Sequence, residues 1–352
     1  MAVPLGPPQI CYLSYLSRSG STLLARLLEE RYAICVAPEA SLPAELLGVN
    51  GMAPVPLPDA AAAAEYWASV ARLSKLSDWQ LEPGAVLAAM RYPATSRTLF
   101  TALAQAYRDA VRPEDPVFLY KGDPVMPWQA KAALEALPGS RVIYMLRDPR
   151  AVLSSQRRAR YAYAGGTFSH SPAHTAVEWR ALAGAIGHLG PREVVMRYEA
   201  LVSDPEGALD TLAAALGLYP RAPEAGGAGT REASAPTPAG GFASRIAAAE
   251  RHLHPQVSQA PDPAGIDGWR KALDPGAWAV LEHLLAPDMA RLGYPADAPA
   301  PARPRAVLQA RLQHRAGRVL EDIRRHGATL MSNPRYFLQK IAARFGGAGA
   351  SR

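Results

Sequence analysis

The chain has 352 residues, 49% of them hydrophobic and 20% charged, enough for a large core in one big domain or one domain with appendages. No apolar run reaches membrane-span length, and the first residues, MAVPLGPPQICYLSYL, lack a basic region and break early at prolines, so neither a spanning helix nor a signal peptide is expected. The net charge of +7 belongs to the end of the chain: from Pro301 onward there are 11 Lys/Arg and 2 Asp/Glu, against 27 and 29 before it, so the body is not marked as a nucleic-acid binder.

In chain order, Ile10–Leu16 reads as a buried strand and Ser21–Arg31 as a helix. Residues 60–74 and 96–111 are helical by composition and period, and form a helical insertion at about 41–115. Val117–Tyr120 reads as a strand, Ala130–Leu137 as a helix and Arg141–Leu146 as a strand, followed by a helix from about Arg150 to Tyr161. Then come a helix over Val177–Leu189, a strand over Glu193–Arg197 and a helix over Pro205–Leu216 that Gly217 stops. Residues 219–243 are dominated by Ala, Gly and Pro and read as a long flexible loop, either functional or disordered. The alternation predicts an α/β fold, a P-loop-like three-layer sandwich whose central parallel sheet is covered on both faces, with ligands beyond the carboxyl ends of the strands. This domain is expected over 1–300, and a basic, amphipathic helical extension over 301–352. Cys11 and Cys35 sit in apolar company, which suits buried thiols in a reducing cytoplasm better than a bridge. The Ala-, Arg- and Pro-rich composition suggests a high-GC bacterial source.

The stretch YLSYLSRSGSTLLARLL, residues 12–28, has the outline of a phosphate loop without being a Walker A loop: Ser21 stands where the lysine belongs. Ser19, Gly20, Ser21 and Thr22 can turn successive N–H groups toward one point at a helix N-terminus, and Arg18 adds a guanidinium fork suited to phosphate or sulfate oxygens. A plain serine-rich turn would look similar. In RVIYMLRDPRAVLSSQ, Arg147 stands just past a strand and Ser155 eight residues on, two turns into the next helix, spaced to grip a second phosphate. The plainer reading makes Arg147–Asp148 a local ion pair and Ser155 a surface residue. Further on come MRYEALVSDPEGALDTLAAALGL and IDGWRKALDPGAWAVLEHLLAPDMARLGYP.

Taken in this order, the four segments resemble the sulfotransferases that use 3′-phosphoadenosine 5′-phosphosulfate (PAPS), in the R-S-G-[ST]-T form of their bacterial and tyrosylprotein-type members. The resemblance runs from about residue 10 to 295. It implies that Arg18, Ser19, Gly20, Ser21 and Thr22 hold the 5′-phosphosulfate, Arg147 and Ser155 the 3′-phosphate, and Tyr198 the adenine. Trp269, Arg270 and Lys271 fall where the family closes over the 3′-phosphate. Leu23 stands where cytosolic members place a stacking tryptophan. Lys121, in YKGDP, matches a second active-site lysine and joins Arg18 as a stabiliser of charge on the bridging and leaving oxygens, a role that calls for no metal. Two residues are candidates for the base that takes the acceptor proton: Glu39, in VAPEASLP, and Asp123, where cytosolic members have histidine. The implied activity is transfer of a sulfonyl group to an acceptor hydroxyl or amine, the acceptor being a carbohydrate, glycolipid, natural product or peptide. A nucleotide-dependent kinase and a catalytically silent, nucleotide- or membrane-binding relative are the alternatives.

His170 with His174 and His252 with His254 lack the companions of a metal site, and Trp128 and Trp179 read as packing residues. In the tail, Leu308, Leu312, Val319 and Ile323 share a helical face beside Arg311, Arg315, Arg318 and Arg325, and NPRYFLQKIAARF forms a second amphipathic piece. The tail reads either as a docked helix with solvated charges or as a peripheral contact with anionic lipid.

Overall fold

The computed structural model describes residues 6–40, 42–49, 52–71, 75–122, 129–159, 171–221, 241–246 and 259–332, in the last stretch without the side chains of 318 and 320–329. Its strands are β1 (Gln9–Tyr15), β2 (Ile34–Val36), β3 (Pro56–Leu57), β4 (Ala94–Thr95), β5 (Val117–Tyr120), β6 (Arg141–Leu146) and β7 (Glu193–Arg197). Five of them form a parallel sheet in the order β2-β5-β1-β6-β7, and β3 pairs with β4 antiparallel. The helices are α1 (Ser21–Arg31), α2 (Ala44–Leu47), α3 (Ala60–Val70), α4 (Pro83–Ala88), α5 (Ser96–Val111), α6 (Ala130–Ala136), α7 (Pro149–Arg158), α8 (Pro172–Ala185), α9 (Tyr198–Ser203), α10 (Pro205–Leu216), α11 (Phe242–Arg245), α12 (Trp269–Ala272), α13 (Pro275–Arg291) and α14 (Pro304–Ser332).

β1 is central because both of its faces are apolar, as a strand covered on both sides requires. Successive side chains alternate between two cores. Ile10 and Tyr12 join Phe118, Tyr120, Val142 and Tyr144 beneath α5, α7, α8 and α13. Cys11, Leu13 and Tyr15 join Val117, Leu119, Ile143 and Met145 beneath α1, α9 and α10. The chain turns one way from β1 to β2 and later crosses to β6 and β7 on the other side. The crevice beyond the carboxyl end of β1 is therefore the switch point at which such sheets bind ligands. Cys11 and Cys35 are both free and buried, and burial pushes the Cys11 thiol up to about 12.

The expected elements recur with shifted ends. The helix expected over Val177–Leu189 is α8, which starts five residues earlier. Ser171 caps it by accepting from the His174 N–H and Pro172 opens it, whereas apolar periodicity registers only from Val177. β2 escapes a periodicity reading because ICV is too short to show a period. The insertion between β2 and β5 holds α2–α5 and the β3–β4 pair. Of residues 219–243, positions 222–240 lie outside the described residues; Arg221, just before them, is paired with Asp115 and donates to the carbonyls of Glu29 and Tyr32. The start of α14 packs on α8 and α13 and buries Val307 and Ala310. The second amphipathic piece, with Trp128, His170, His252 and His254, lies outside the described residues.

One buried arginine joins three parts of the chain. Arg150, on α7, pairs with Asp148 at 2.7 Å, with Glu282 of α13 at 2.6 Å and with Asp297, and lies 4.3 Å over the Trp269 ring. Arg150→Ala leaves buried carboxylates without their counter-charge. It should lower stability by about 3–5 kcal/mol, read as a shifted midpoint in urea denaturation.

Candidate active site

The turn from β1 to α1 is built on left-handed backbone. Arg18 has φ 74° and Gly20 φ 96°, and the Ser19 N–H closes the turn on the Leu16 carbonyl at 3.1 Å. Gly20 is required twice over. Its φ favours glycine, and a Cβ there would lie 2.4 Å from Tyr198 Cδ2. α1 begins with no side-chain cap and no acidic residue in its first turn, so its leading N–H groups stay available to an anion. Ser19, 1% exposed, has a buried Oγ without a hydrogen-bond partner.

α7 and α9 hold this turn in place. Arg147 Nη1 donates to the Arg18 carbonyl at 2.9 Å, and its guanidinium lies 3.8 Å over the Tyr198 ring. Arg147 Nε is buried without a partner. Burial draws the Arg147 guanidinium below its ordinary value, partly offset by Tyr198, Glu199 and Asp148, and it stays charged at neutral pH. Arg18 Nε donates to Ser155 Oγ at 3.3 Å, and Gln156 Nε2 to the Ser17 carbonyl at 3.3 Å. Trp179 Nε1 donates to the Arg147 carbonyl at 2.8 Å, so this packing tryptophan also orients the arginine. Asp148 caps α7 and pairs with Arg150 rather than Arg147.

A second cluster lies beside the turn. Glu39 Oε2 is 2.8 Å from Lys121 Nζ and accepts from the Tyr15 hydroxyl at 2.8 Å, while Oε1 is 2.9 Å from Lys75 Nζ. Lys121 also lies 5.0 Å from the centre of the Tyr15 ring. Tyr15, the last residue of β1, thus joins this cluster to the turn that follows. The backbone around Glu39 is anchored on both sides. Trp79 Nε1 donates to the Pro38 carbonyl at 2.9 Å and the Tyr120 hydroxyl to the Ala40 carbonyl at 2.8 Å. Burial raises the Glu39 carboxyl, but Lys121 and Lys75 outweigh it and hold the group well below the usual carboxylate range.

Arg18, Ser19, Gly20, Ser21, Thr22, Arg147, Ser155 and Tyr198 therefore come together, with Glu39 and Lys121 alongside. Asp123 lies outside the described residues. Trp269, Arg270 and Lys271 lie on α12, which packs on α7. Trp269 lies between Arg150 and Arg270, and Arg270 pairs with Asp267 at 3.1 Å and Asp297 at 2.5 Å. Among the described residues no hydrogen bond, ion pair or ring contact joins these three to the turn. Tyr15, Lys75, Glu199 and Tyr294 are not singled out by the sequence reading. Lys75 lies in the insertion, outside any motif. Glu199, inside RYE, accepts from the Asp148 N–H at 2.9 Å, and the Tyr294 hydroxyl donates to Glu199 at 3.0 Å. The RYE segment, read for Tyr198 alone, is the signal that could have found Glu199. His174 pairs with Glu178, and among the described residues no cluster of three His, Cys, Asp or Glu could hold a metal ion.

An uncapped helix N-terminus at the switch point of a parallel sheet, with arginines around it and a lysine–glutamate pair beside it, defines an α/β protein with a phosphate-loop-type turn whose chemistry suits an anion. The chain belongs to the sulfotransferase family: the family model described as "Sulfotransferase family" matches residues 16–221. The reaction class is thus sulfonyl transfer to an acceptor. Among solved structures, the sulfotransferase domain from the curacin biosynthetic pathway is similar in fold, with a TM-score of 0.50 and 20% identity over 84% of this chain and 100% of that one. The sulfotransferase domain of the Synechococcus PCC 7002 olefin synthase gives a TM-score of 0.45 and 19% identity over 84% of this chain and 98% of that one. A sulfotransferase from Alicyclobacillus acidocaldarius gives 0.39 and 15%, over 82% and 95%. No curated protein sequence matches the chain.

Gly20→Ala tests the turn. Left-handed backbone and the Tyr198 contact together should destabilise the protein by about 2–4 kcal/mol in urea denaturation. Near-ultraviolet circular dichroism should register the displaced Tyr198 ring.

Proposed function

We propose that the protein transfers the sulfonyl group of 3′-phosphoadenosine 5′-phosphosulfate to an acceptor hydroxyl or amine by in-line displacement, leaving adenosine 3′,5′-bisphosphate. The observation that carries this reading is a pair of buried, unpartnered donors, Ser19 Oγ and Arg147 Nε, at an uncapped helix N-terminus beside Arg18 and Ser155. Buried polar groups are nearly always satisfied, so donors left over at such a place fit an anionic ligand. When bound, the donor supplies the sulfonyl group and a bisphosphate leaving group.

The chain's own residues divide the remaining work. Ser19, Gly20, Ser21 and Thr22 hold the 5′ end, and Arg147 and Ser155 the 3′-phosphate. Tyr198 supports Arg147 from below and, by resemblance, contacts the adenine. Trp269, Arg270 and Lys271 are assigned to closure over the 3′-phosphate by resemblance alone. Arg18 and Lys121 stabilise charge on the bridging and leaving oxygens. Glu39 takes the acceptor proton at Oε2, the oxygen now shared by Lys121 and the Tyr15 hydroxyl. Asp123 is the second candidate for this step. The free, buried cysteines suit a cytoplasmic setting.

Titration calorimetry with adenosine 3′,5′-bisphosphate, ATP and GTP tests the reading. Binding of the bisphosphate in preference to the triphosphates is expected, and failure to bind it overturns the proposal. With labelled PAPS and cell extract, Arg18→Ala should lower the transfer rate about 10²–10³-fold. Its affinity for the bisphosphate should fall much less, because the main partner of Arg18 is the sulfonate. Transfer of no label by the unaltered protein would instead favour the silent relative.

A specific observation supports a membrane contact for the tail. Leu308, Leu312 and Val319 are 55–59% exposed along α14, on a face that docking through Val307 and Ala310 leaves open, with Arg311 and Arg315 exposed beside them. Apolar residues flanked by arginines suit an anionic lipid surface. The full chain should float with phosphatidylglycerol-containing vesicles and not with phosphatidylcholine alone. Replacing Leu308, Leu312 and Val319 together by serine should weaken this at least about tenfold. Equal flotation with both vesicle types, or none with either, rejects the contact.

A further inference from the structure

Glu39 is gripped at both carboxylate oxygens, and the two grips come from different parts of the chain. Oε2 is held by Lys121, just past β5, and by Tyr15, at the end of β1. Oε1 is held by Lys75, which lies in the insertion between β2 and β5. Lys75 is itself strictly placed. It adopts φ 66°, an uncommon conformation outside glycine that persists where the surroundings over-determine it. It opens a short 3₁₀ turn, Leu76–Trp79, whose Leu76 and Trp79 are buried. Trp79 donates to the carbonyl of Pro38, the residue before Glu39, and its ring packs on Tyr107, Phe118 and Tyr120. The ammonium group and the carboxylate it meets are therefore carried by segments bonded to each other.

We infer that Lys75 is a positioning residue of the transfer step: it holds Glu39 Oε1 and keeps the carboxylate ionised while Lys121 turns from Oε2 to the donor, so that Oε2 is free to accept the acceptor proton. The inference rests on the reading of Glu39 as the base. Two arguments support it. The first is geometric: a carboxylate fixed at one oxygen presents the other in a defined direction, and a base must lie within hydrogen-bond reach of its proton. The second is charge. Among the described residues, Lys121, Lys75 and Tyr15 are the titratable groups in contact with Glu39. If Lys121 leaves and no cation remains, burial drives the carboxyl toward its protonated form, which cannot take a proton. Lys75 is the cation that stays. The sign follows directly: a neighbouring cation lowers the carboxyl's midpoint, so removing it raises the midpoint.

The test follows Glu39 by carbon-13 NMR of carboxyl-labelled glutamate in the full chain, with Glu39→Gln identifying the resonance. Lys121→Met stands for the state in which Lys121 has turned away. In that variant Glu39 should still be ionised at neutral pH. Adding Lys75→Met should raise its midpoint by about 1–3 pH units, and Lys75→Arg in its place should restore it. In otherwise unaltered protein, Lys75→Met should slow labelled-sulfate transfer from PAPS into cell extract by at least about tenfold at neutral pH, and Lys75→Arg should recover part of the rate. A midpoint that is the same with and without Lys75 in the Lys121→Met background overturns the inference. Undiminished transfer by Glu39→Gln overturns instead the assignment of Glu39 as base, and is distinguishable because it leaves the titration result standing.

Discussion

The site depends on one contact, the donation from Arg147 to the Arg18 carbonyl. A left-handed residue in a turn between strand and helix needs a partner that reaches its exposed carbonyl. Arg147 supplies this from the end of the neighbouring strand, resting on Tyr198 and steered by Trp179. The same guanidinium keeps a buried nitrogen unpartnered beside an uncapped helix. The interaction that shapes the turn thus also leaves donors unsatisfied, as an anion site requires.

Around this contact the molecule is layered by function. The ends of β1, β5 and β6 deliver the turn with Tyr15, Lys121 and Arg147 to one edge of the sheet. Behind them, Arg150 ties α7 to α13 and the chain beyond it, and Glu199 ties the start of α7 to α9. The insertion contributes more than a wall, because Trp79 and Lys75 reach the Glu39 segment by its backbone and by its carboxylate. The insertion and the Glu39 carboxylate are therefore mechanically linked.

Much of this was legible in the order of residues, for identifiable reasons. RSGST, KGD and RDPR each follow a strand and RYE begins on the last residue of one, and parallel topology forces such segments to the same edge. Strands with two apolar faces announce themselves as apolar runs. What escaped was of two kinds. β2 is too short to carry a period, and α8 begins at a cap and a proline that apolar periodicity does not register. Lys75 belongs to no motif, and its meeting with Glu39 spans 36 residues through a fold of the insertion that local pattern does not encode.

The sequence by itself determined the alternation of strands and helices, the glycine that the turn demands and the cations available at the strand ends. All of these are properties of neighbours along the chain. Only the tertiary structure decided which cation meets which carboxylate. It paired Arg150 with Glu282 and Asp297, brought Trp269 against two arginines, and closed two lysines on the oxygens of Glu39. Ion pairing is fixed by distances across the core, and these exist only once β1, β5 and the insertion have packed together.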